Sequence, residues 1–315
     1  MTPFAIVFPG QGSQSVGMLD AWGDNPAVRE TLAEASSVLG EDIARLIHEG
    51  PKEALELTTN TQPVMLTAGL ACYRAWLAHT GREPAFLAGH SLGEYTALVA
   101  TGSLTLAEAL PLVRFRAQAM QDAVPAGIGA MAAILGLDAG AVRDACVELS
   151  MGSTEVVEAV NFNDPKQIVI AGTKAGVDKA CELLKARGAK RAMLLAVSAP
   201  FHSSLMKPAA ERLKVRLAAT SVAAPRIAVM NNVDVRINTD PQAIRDALYR
   251  QAFGPVRWVE LVQALRLQGV TSMIECGPGK VLAGTLKRIE PEVTAGNVFD
   301  PASMAAAAMA LGGVS

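Results

Sequence analysis

The sequence contains only four cysteines, and none of them forms a Cys-x-x-Cys pair. Disulfide frameworks and zinc sites use clustered or paired cysteines, so this pattern argues against both. Histidine is equally scarce, and His48 and His79 lack the spacing of metal ligands. We therefore expect no metal site. The isolated cysteines are predicted to be buried thiols: Cys72, Cys146, Cys181 and Cys276.

The chain also lacks an excess of basic residues and a long apolar run. Its 28 Lys and Arg residues are balanced by 30 Asp and Glu, for a net charge of −2. This balance argues against binding to nucleic acid or to an anionic membrane surface. Residues 1–8 have no basic segment typical of a secretory leader, and no apolar run is long enough to cross a bilayer. We expect a cytoplasmic protein that binds its ligands in a pocket.

Apolar residues, by contrast, are abundant. They make up 50% of the 315 residues, and the mean hydropathy is +0.27. A chain of this length and composition can bury a large core and can form one large domain with a smaller one.

The segment from Pro84 to Thr101 has the pattern of a nucleophile elbow. Pro84–Ala88 is predicted to be a short buried strand, and the stretch from Leu92 to Thr101 a helix. Ser91 lies between them with Gly89 and Gly93 two residues away on either side, which permits a tight turn that exposes the hydroxyl. A helix N-cap is the alternative role for this serine, but a cap needs neither the flanking glycines nor the strand. Hydrolases and acyltransferases both use such an elbow.

Two glycine-containing loops resemble phosphate-binding motifs only superficially. The first predicted strand, residues 5–8, runs into Pro9–Gln14, which lacks the third glycine of a dinucleotide fingerprint and the Lys-Ser/Thr of a P-loop. We interpret it as a loop that contributes an amide or a glutamine side chain to a pocket. In the turn 277–280, Val281 occupies the Ser/Thr position of a P-loop, so a tight turn into a helix is predicted.

Residues 127–197 have the element order β-α-β-β-α-β, which is that of the ferredoxin-like split unit. The remainder, residues 1–126 and 198–315, forms the large domain. The predicted fold is therefore α/β, with a large α/β-hydrolase-like domain built on a parallel sheet and an inserted small ferredoxin-like subdomain. A ligand is expected in the cleft between them.

A predicted helix from Leu104 to Val124 contains two arginines near its middle. Arg114 and Arg116 point about 200° apart, so they cannot share a face. Arg116 and Met120 are one turn apart on the same face, as expected for a buried guanidinium beside an apolar wall. From the residues alone, a surface arginine is still the favoured interpretation.

His202 follows a proline in the segment Pro200-Phe201-His202, where the chain returns to the large domain. An isolated histidine in an apolar segment is more often a packing residue. Because an elbow serine is already present, we favour a catalytic base at this position.

Taken together, these segments resemble the malonyl-CoA:acyl-carrier-protein transacylases of fatty-acid synthesis. The matching segments are Phe8–Gln14, Gly89–Glu94 followed by Arg116 and Met120, Pro200–His202, Asn231–Asp234, Arg250-Gln251 and Gly277–Lys280. The resemblance extends from about Phe4 to Ile289.

The resemblance implies a role for each matching residue. Ser91 is the nucleophile and His202 its base, and the main-chain amides of Gln11 and Leu92 form the oxyanion hole. Arg116 binds the malonyl carboxylate beside Met120. The Gln251 carbonyl orients the histidine, with Asp164 as the alternative acid. Phe201 is of the residue type associated with malonyl rather than methylmalonyl units.

The resemblance also implies the partners. These are malonyl-CoA and an acyl carrier protein, with no cofactor, since the CoA thioester is a substrate and the phosphopantetheine belongs to the carrier. We expect a monomer. Carrier proteins are acidic, so a basic docking patch is expected, although an ordinary solvated helix end fits as well. The densest basic cluster is Lys185, Arg187, Lys190 and Arg191.

Two other functions remain open. A serine hydrolase would use Ser91 and His202 with water as the acceptor. A non-enzymatic CoA-binding or scaffold protein would tolerate loss of Ser91 without consequence.

Overall fold

The computed structural model describes residues 3–125 and 127–312, which form nine strands and thirteen α-helices. The predicted domain boundary at residue 126 lies outside the described residues. The strands are β1 (Phe4–Phe8), β2 (Phe86–Gly89), β3 (Gly129–Leu135), β4 (Val157–Asp164), β5 (Gln167–Thr173), β6 (Arg191–Leu194), β7 (Ala228–Met230), β8 (Ser272–Cys276) and β9 (Thr294–Val298). The helices are α1 (Pro26–Leu39), α2 (Ile43–Glu49), α3 (Lys52–Glu56), α4 (Thr58–Thr80), α5 (Leu92–Ala100), α6 (Leu106–Asp122), α7 (Ala139–Ser150), α8 (Lys174–Ala186), α9 (Lys207–Ala218), α10 (Pro241–Gln251), α11 (Trp258–Leu267), α12 (Val281–Ile289) and α13 (Pro301–Ala310).

Five strands form a parallel sheet in the order β7-β2-β1-β8-β9. The central strand β1 is buried along its whole length because helices cover both faces. Phe4, Ile6 and Phe8 pack into the core that contains α4, α5 and α6, while Ala5 and Val7 pack into the core that contains α11 and α12. The predicted α/β class with a parallel sheet is therefore confirmed.

The region before β2 is helical. The apolar residues from Ala27 to Leu57 fall at helical spacing, and this stretch forms three helices, which glycines at 40 and 50 separate. The sequence Thr61-Gln62-Pro63 predicts the start of a buried helix at Val64. The helix found there, α4, is buried on most faces but begins earlier, at Thr58. A proline near the start of a helix removes only one backbone hydrogen bond, and the tertiary packing of α4 offsets that loss.

The other four strands form an antiparallel sheet in the order β4-β5-β3-β6. The six elements predicted between residues 127 and 197 are all present in the predicted order. The largest deviation is in the last strand, which the sequence predicts over Lys190–Val197, whereas β6 ends at Leu194. Helices α7 and α8 pack on one face of this sheet around a core of their own.

The unit that contains this antiparallel sheet (the small unit) contacts the unit that contains the parallel sheet (the large unit) through β4. Phe162 N donates to Val256 O at 3.0 Å, and Val256 N donates to Val160 O at 2.8 Å. Arg288 Nε donates to Asp164 Oδ2 at 2.7 Å. These bonds hold the small sheet against the large unit.

Three further observations concern the residues that the structure describes. None of their helices is long and apolar enough to span a membrane. They contain no group of three His, Cys, Asp or Glu side chains arranged to hold a metal ion. All four cysteines are buried, as predicted, and burial raises the pKa of each thiol, that of Cys72 to about 12.

Candidate active site

Ser91 lies at a sharp turn between β2 and α5. Its φ angle is +51°, a value that non-glycine residues rarely adopt and that is characteristic of strained functional turns. Both flanking glycines are required by close backbone contacts. A Cβ on Gly89 would lie 1.9 Å from the Gly93 carbonyl carbon, and one on Gly93 would lie 2.1 Å from Phe8 O. The turn therefore has the strand-turn-helix geometry that the sequence predicts.

His202 is buried and lies within hydrogen-bond distance of the serine. Ser91 Oγ and His202 Nε2 are 2.8 Å apart. On the other side of the ring, Nδ1 is 3.0 Å from Gln251 O and 3.1 Å from Gly254 O. A carbonyl oxygen only accepts, so Nδ1 carries the proton and Nε2 is free to accept one from the serine hydroxyl.

The electrostatic surroundings keep His202 neutral. Burial, aided by the positive charge of Arg116 and by His90, lowers the pKa of His202 to about 3. A neutral imidazole is the form that can act as a base.

Arg116 is buried at 2% exposure, contrary to the surface position favoured from the residues alone. Its Nη1 donates to Gln62 Oε1 at 2.8 Å, and Nη2 donates to Ser91 Oγ and Gln251 Oε1, both at 3.1 Å. The guanidinium lies over the Tyr95 ring, 5.4 Å from its centroid. Arg114 points away and pairs with Glu41, so only one of the two arginines reaches the serine.

A cavity of about 140 Å³ lies where these side chains meet. All of the site residues predicted from the sequence line this cavity except Gln251. Gln251 is hydrogen-bonded to three of the lining residues, Ser91, Arg116 and His202. The small sheet contributes Met131 and Asn161, and the segment that follows β6 contributes Leu195 and Val197. The residues lining the cavity are Gln11, Gln62, His90, Ser91, Leu92, Arg116, Met120, Met131, Asn161, Leu195, Val197, Phe201 and His202.

The loop 9–14 lies directly beside the elbow. A Cβ on Gly10 would lie 2.7 Å from His90 O, so only glycine permits this approach. The Gln11 side chain donates to Thr58 Oγ1 at 3.3 Å, and Gln11 lines the cavity. Leu92 is the first residue of α5, so its amide is one of those that have no acceptor within the helix.

Asp164 does not orient the histidine. Its carboxylate accepts from Arg288 Nε and, at 2.8 Å, from Lys166 N, whereas the two acceptors of His202 Nδ1 are main-chain carbonyls. The open alternative of an acid at this position is therefore wrong.

Several polar residues of the site were missed from the sequence. Gln62 was predicted only as part of the start of a helix, and its polar neighbours Asn60 and Thr61 left it without a distinguishing pattern. His90 Nε2 donates to Asn163 Oδ1 at 2.8 Å and links the elbow to the small sheet. Asn232 accepts from Ser91 N at 2.7 Å through Oδ1 and donates to Gly89 O at 2.6 Å through Nδ2. No local pattern marks such long-range partners.

Comparison with known proteins agrees with this geometry. The family model described as "Acyl transferase domain" matches residues 5–298. The chain belongs to the acyl transferase family.

Relatives of this acyl transferase match it over nearly their full length. The malonyl CoA-acyl carrier protein transacylase of Escherichia coli strain K12 is 53% identical, over 98% of this chain and 99% of that protein. The crystal structure of an acyl-carrier-protein S-malonyltransferase from Burkholderia pseudomallei is 64% identical, with a TM-score of 0.94 over 96% of this chain and 98% of that one. A type II polyketide synthase acyl carrier protein has been solved in complex with its malonyl-transacylase, to which this chain is 48% identical. The TM-score of that match is 0.95, over 97% of this chain and 99% of that one.

Proposed function

We propose that this acyl transferase moves a malonyl group from CoA to the phosphopantetheine thiol of an acyl carrier protein in fatty-acid synthesis. The observation that carries the proposal is the buried Arg116 guanidinium, which donates to the Oγ of Ser91. An acyl group on Ser91 that ends in a carboxylate would lie within reach of this cation. A site for neutral acyl groups has no use for such a cation. The names of the relatives support the same substrate and acceptor.

In the first half-reaction, Ser91 Oγ attacks the thioester carbonyl while His202 Nε2 takes the hydroxyl proton. The amides of Gln11 and Leu92 stabilise the tetrahedral oxyanion, and loss of one such donor typically costs about 3 kcal/mol of barrier. The carbon–sulfur bond then breaks, and His202 returns the proton to the CoA sulfur. The product is a malonyl ester of Ser91.

The second half-reaction reverses these steps with a different thiol. His202 takes the proton of the phosphopantetheine thiol, the sulfur attacks the ester, and the proton returns to Ser91 Oγ. Because CoA leaves before the carrier enters, the kinetics are ping-pong. The apolar side chains at the cavity, among them Met120 and Phe201, exclude water and so protect the ester from hydrolysis between the two steps.

We propose the domain organisation predicted from the sequence, with residues 1–126 and 198–315 as a hydrolase-like domain and 127–197 as a ferredoxin-like subdomain. The strand-turn-helix elbow supports the first part. The antiparallel order β4-β5-β3-β6, combined with the chain order β-α-β-β-α-β, supports the second.

The basic cluster at the end of α8 and the start of β6 is our proposed docking patch for the carrier protein. All four of its side chains are exposed, and only Arg187 has an acidic partner among the described residues, Glu148. Strand β6 leads from this patch toward Leu195 and Val197 at the cavity, a path that the flexible arm of a carrier could follow. The members of the patch are Lys185, Arg187, Lys190 and Arg191.

The remaining expectations stay predictions. They are a monomeric state, a cytoplasmic location and independence from any cofactor. Size-exclusion chromatography with light scattering tests the first, and cell fractionation tests the second. Full activity of the dialysed, chelator-treated enzyme tests the third.

The decisive experiment is incubation with malonyl-CoA followed by mass spectrometry of the intact and digested protein. We expect a malonyl adduct on Ser91 that disappears when a phosphopantetheinylated carrier protein is added. Release of free malonate without transfer would favour a hydrolase. Absence of any adduct, together with unchanged properties of Ser91→Ala, would favour a non-enzymatic CoA-binding protein.

A further inference from the structure

Glu94 is a buried acidic residue that the mechanism above does not use. It lies in the first turn of α5, three residues after the nucleophile, and is only 2% exposed. A single carboxylate oxygen, Oε2, accepts two hydrogen bonds. One comes from Asn232 N and the other from Gln251 Nε2, both at 2.9 Å.

Each of these donors belongs to a residue that contacts the catalytic groups. Asn232 holds the elbow through the Ser91 amide. Gln251 makes more contacts, because its Nε2 also donates to Ser91 O at 3.0 Å and its Oε1 accepts from Arg116 Nη2. The main-chain oxygen of the same glutamine accepts from His202 Nδ1.

The Glu94 carboxylate and the Ser91 main-chain oxygen together decide which way the Gln251 amide points. A side-chain amide has a donor end and an acceptor end, whereas an ionised carboxylate only accepts. Glu94 therefore draws the NH₂ end of Gln251 toward itself, and the oxygen is left facing the guanidinium of Arg116. With the amide reversed, two donors would face each other at Arg116.

We propose that Glu94 is a positioning residue that fixes Gln251 and, through Gln251, the guanidinium of Arg116. Glu94 thereby sets the preference for acyl groups ending in a carboxylate. The inference rests on the proposed function.

The charge of Glu94 responds to pH in a range where His202 does not. Burial raises the pKa of Glu94 to about 7, a rise that the hydrogen bonds from Gln251 and Asn232 and the charge of Arg116 oppose. The other charged group that faces it is Asp234, which raises the pKa of Glu94 further and is itself paired with Arg250. Since the pKa of His202 is about 3, the base stays neutral while Glu94 gains its proton.

The first test measures single-turnover formation of malonyl-Ser91 and acetyl-Ser91 by rapid quench and mass spectrometry. The amplitude of acyl-enzyme formation measures the fraction of folded sites, and the rate constant measures the rate of acylation at each site. In Glu94→Met, which lacks the acceptor, we expect the malonyl rate constant to fall roughly 100-fold, as misplacement of a catalytic group does. The acetyl rate constant falls much less, because acetyl has no carboxylate. Glu94→Gln, whose amide oxygen can accept both hydrogen bonds but carries no charge, recovers only part of the loss, because hydrogen bonds to an ionised acceptor are the stronger ones.

The matched control is Glu275, the other buried glutamate whose pKa burial raises to about 7. Its carboxylate accepts from Ala283 N at the start of α12. Glu275→Gln should leave the malonyl-to-acetyl ratio unchanged. If Glu94→Met lowers only the amplitude and keeps both rate constants, Glu94 is a packing residue and the inference is wrong.

The second test uses only the isosteric variant and applies even if Glu94→Met does not fold. In the wild type and in Glu275→Gln, the malonyl-to-acetyl ratio should fall as the pH decreases through about 7. In Glu94→Gln it should stay constant over the same range. A wild-type pH dependence in Glu94→Gln overturns the inference. Failure of the wild type itself to form malonyl-Ser91 would instead refute the proposed function.

Discussion

The two walls of the catalytic cavity differ in chemistry and in exposure to solvent. The wall from the large unit contains Ser91, Arg116 and His202, all held by hydrogen bonds to buried partners. The wall from the small unit is mainly apolar, and Leu195, on the segment that continues the edge strand β6, is 36% exposed. The comparison supports the proposal that the reaction depends on the large unit, while the small unit covers the acyl group and guides the acceptor.

The largest effect should come from the nucleophile and its base. Ser91→Ala and His202→Ala should each lower malonyl transfer by ~10⁴-fold or more, since members of such a pair act as a unit. The measurement is steady-state transfer to the carrier protein. Ser153→Ala, an exposed serine of the small unit, should leave the rate unchanged. Substantial transfer by Ser91→Ala would contradict the assignment of the nucleophile to the large-unit wall.

The next effect separates two kinds of substrate. Arg116→Ala should lower malonyl transfer roughly 100-fold, or ~3 kcal/mol, because truncation removes the partner of a desolvated carboxylate. Acetyl transfer should fall far less. The neighbouring Arg114→Ala, which loses only a partly exposed pair with Glu41, is the matched control. Equal losses for malonyl and acetyl groups would show that Arg116 does not bind the distal carboxylate.

A smaller effect is expected from the proposed docking patch. The double variant Lys190→Glu/Arg191→Glu should raise the KM for the carrier protein about tenfold, through lost charge complementarity, and added salt should reduce the difference. Loading from malonyl-CoA should be unchanged. Lys214→Glu/Arg216→Glu, an equal charge reversal on exposed residues of α9, serves as control. The patch is misassigned if the two double variants behave alike.

The smallest effect should come from the apolar side chains of the small-unit wall. Leu195→Ala should raise hydrolysis of the malonyl ester about fivefold, or ~1 kcal/mol, because less apolar surface excludes water. Release of malonate in the absence of carrier protein measures it. Met193→Ala removes a neighbouring exposed side chain outside the cavity and should have no effect. If Leu195→Ala does not change the rate of ester hydrolysis, the small-unit wall does not protect the ester.

Local signals explain why so much of the elbow was predictable. The glycines around Ser91 and the apolar run before it are close in sequence, so both the turn and its strand could be inferred from the residues. The element order of the small unit followed from short-range periodicity for the same reason. The start of α4 was predicted wrongly, because whether Pro63 begins the helix or lies inside it depends on tertiary packing.

The long-range partners could not be predicted in this way. The burial of Arg116 depends on Gln62 and Gln251, which lie 54 and 135 residues away in sequence. Only the family resemblance indicated that this arginine faces the serine. The roles of Asn232 and Glu94 arise from contacts that span 141 and 157 residues, and no spacing rule reaches so far.

The buried cysteines have a consequence for an enzyme that handles thiols and thioesters. A thiolate near the cavity would compete for the acyl group or form mixed disulfides with CoA. Here each sulfhydryl is buried and kept protonated by its raised pKa. The oxygen of one serine is thus left as the acyl acceptor, and alkylating agents such as iodoacetamide should leave transfer intact in the native protein.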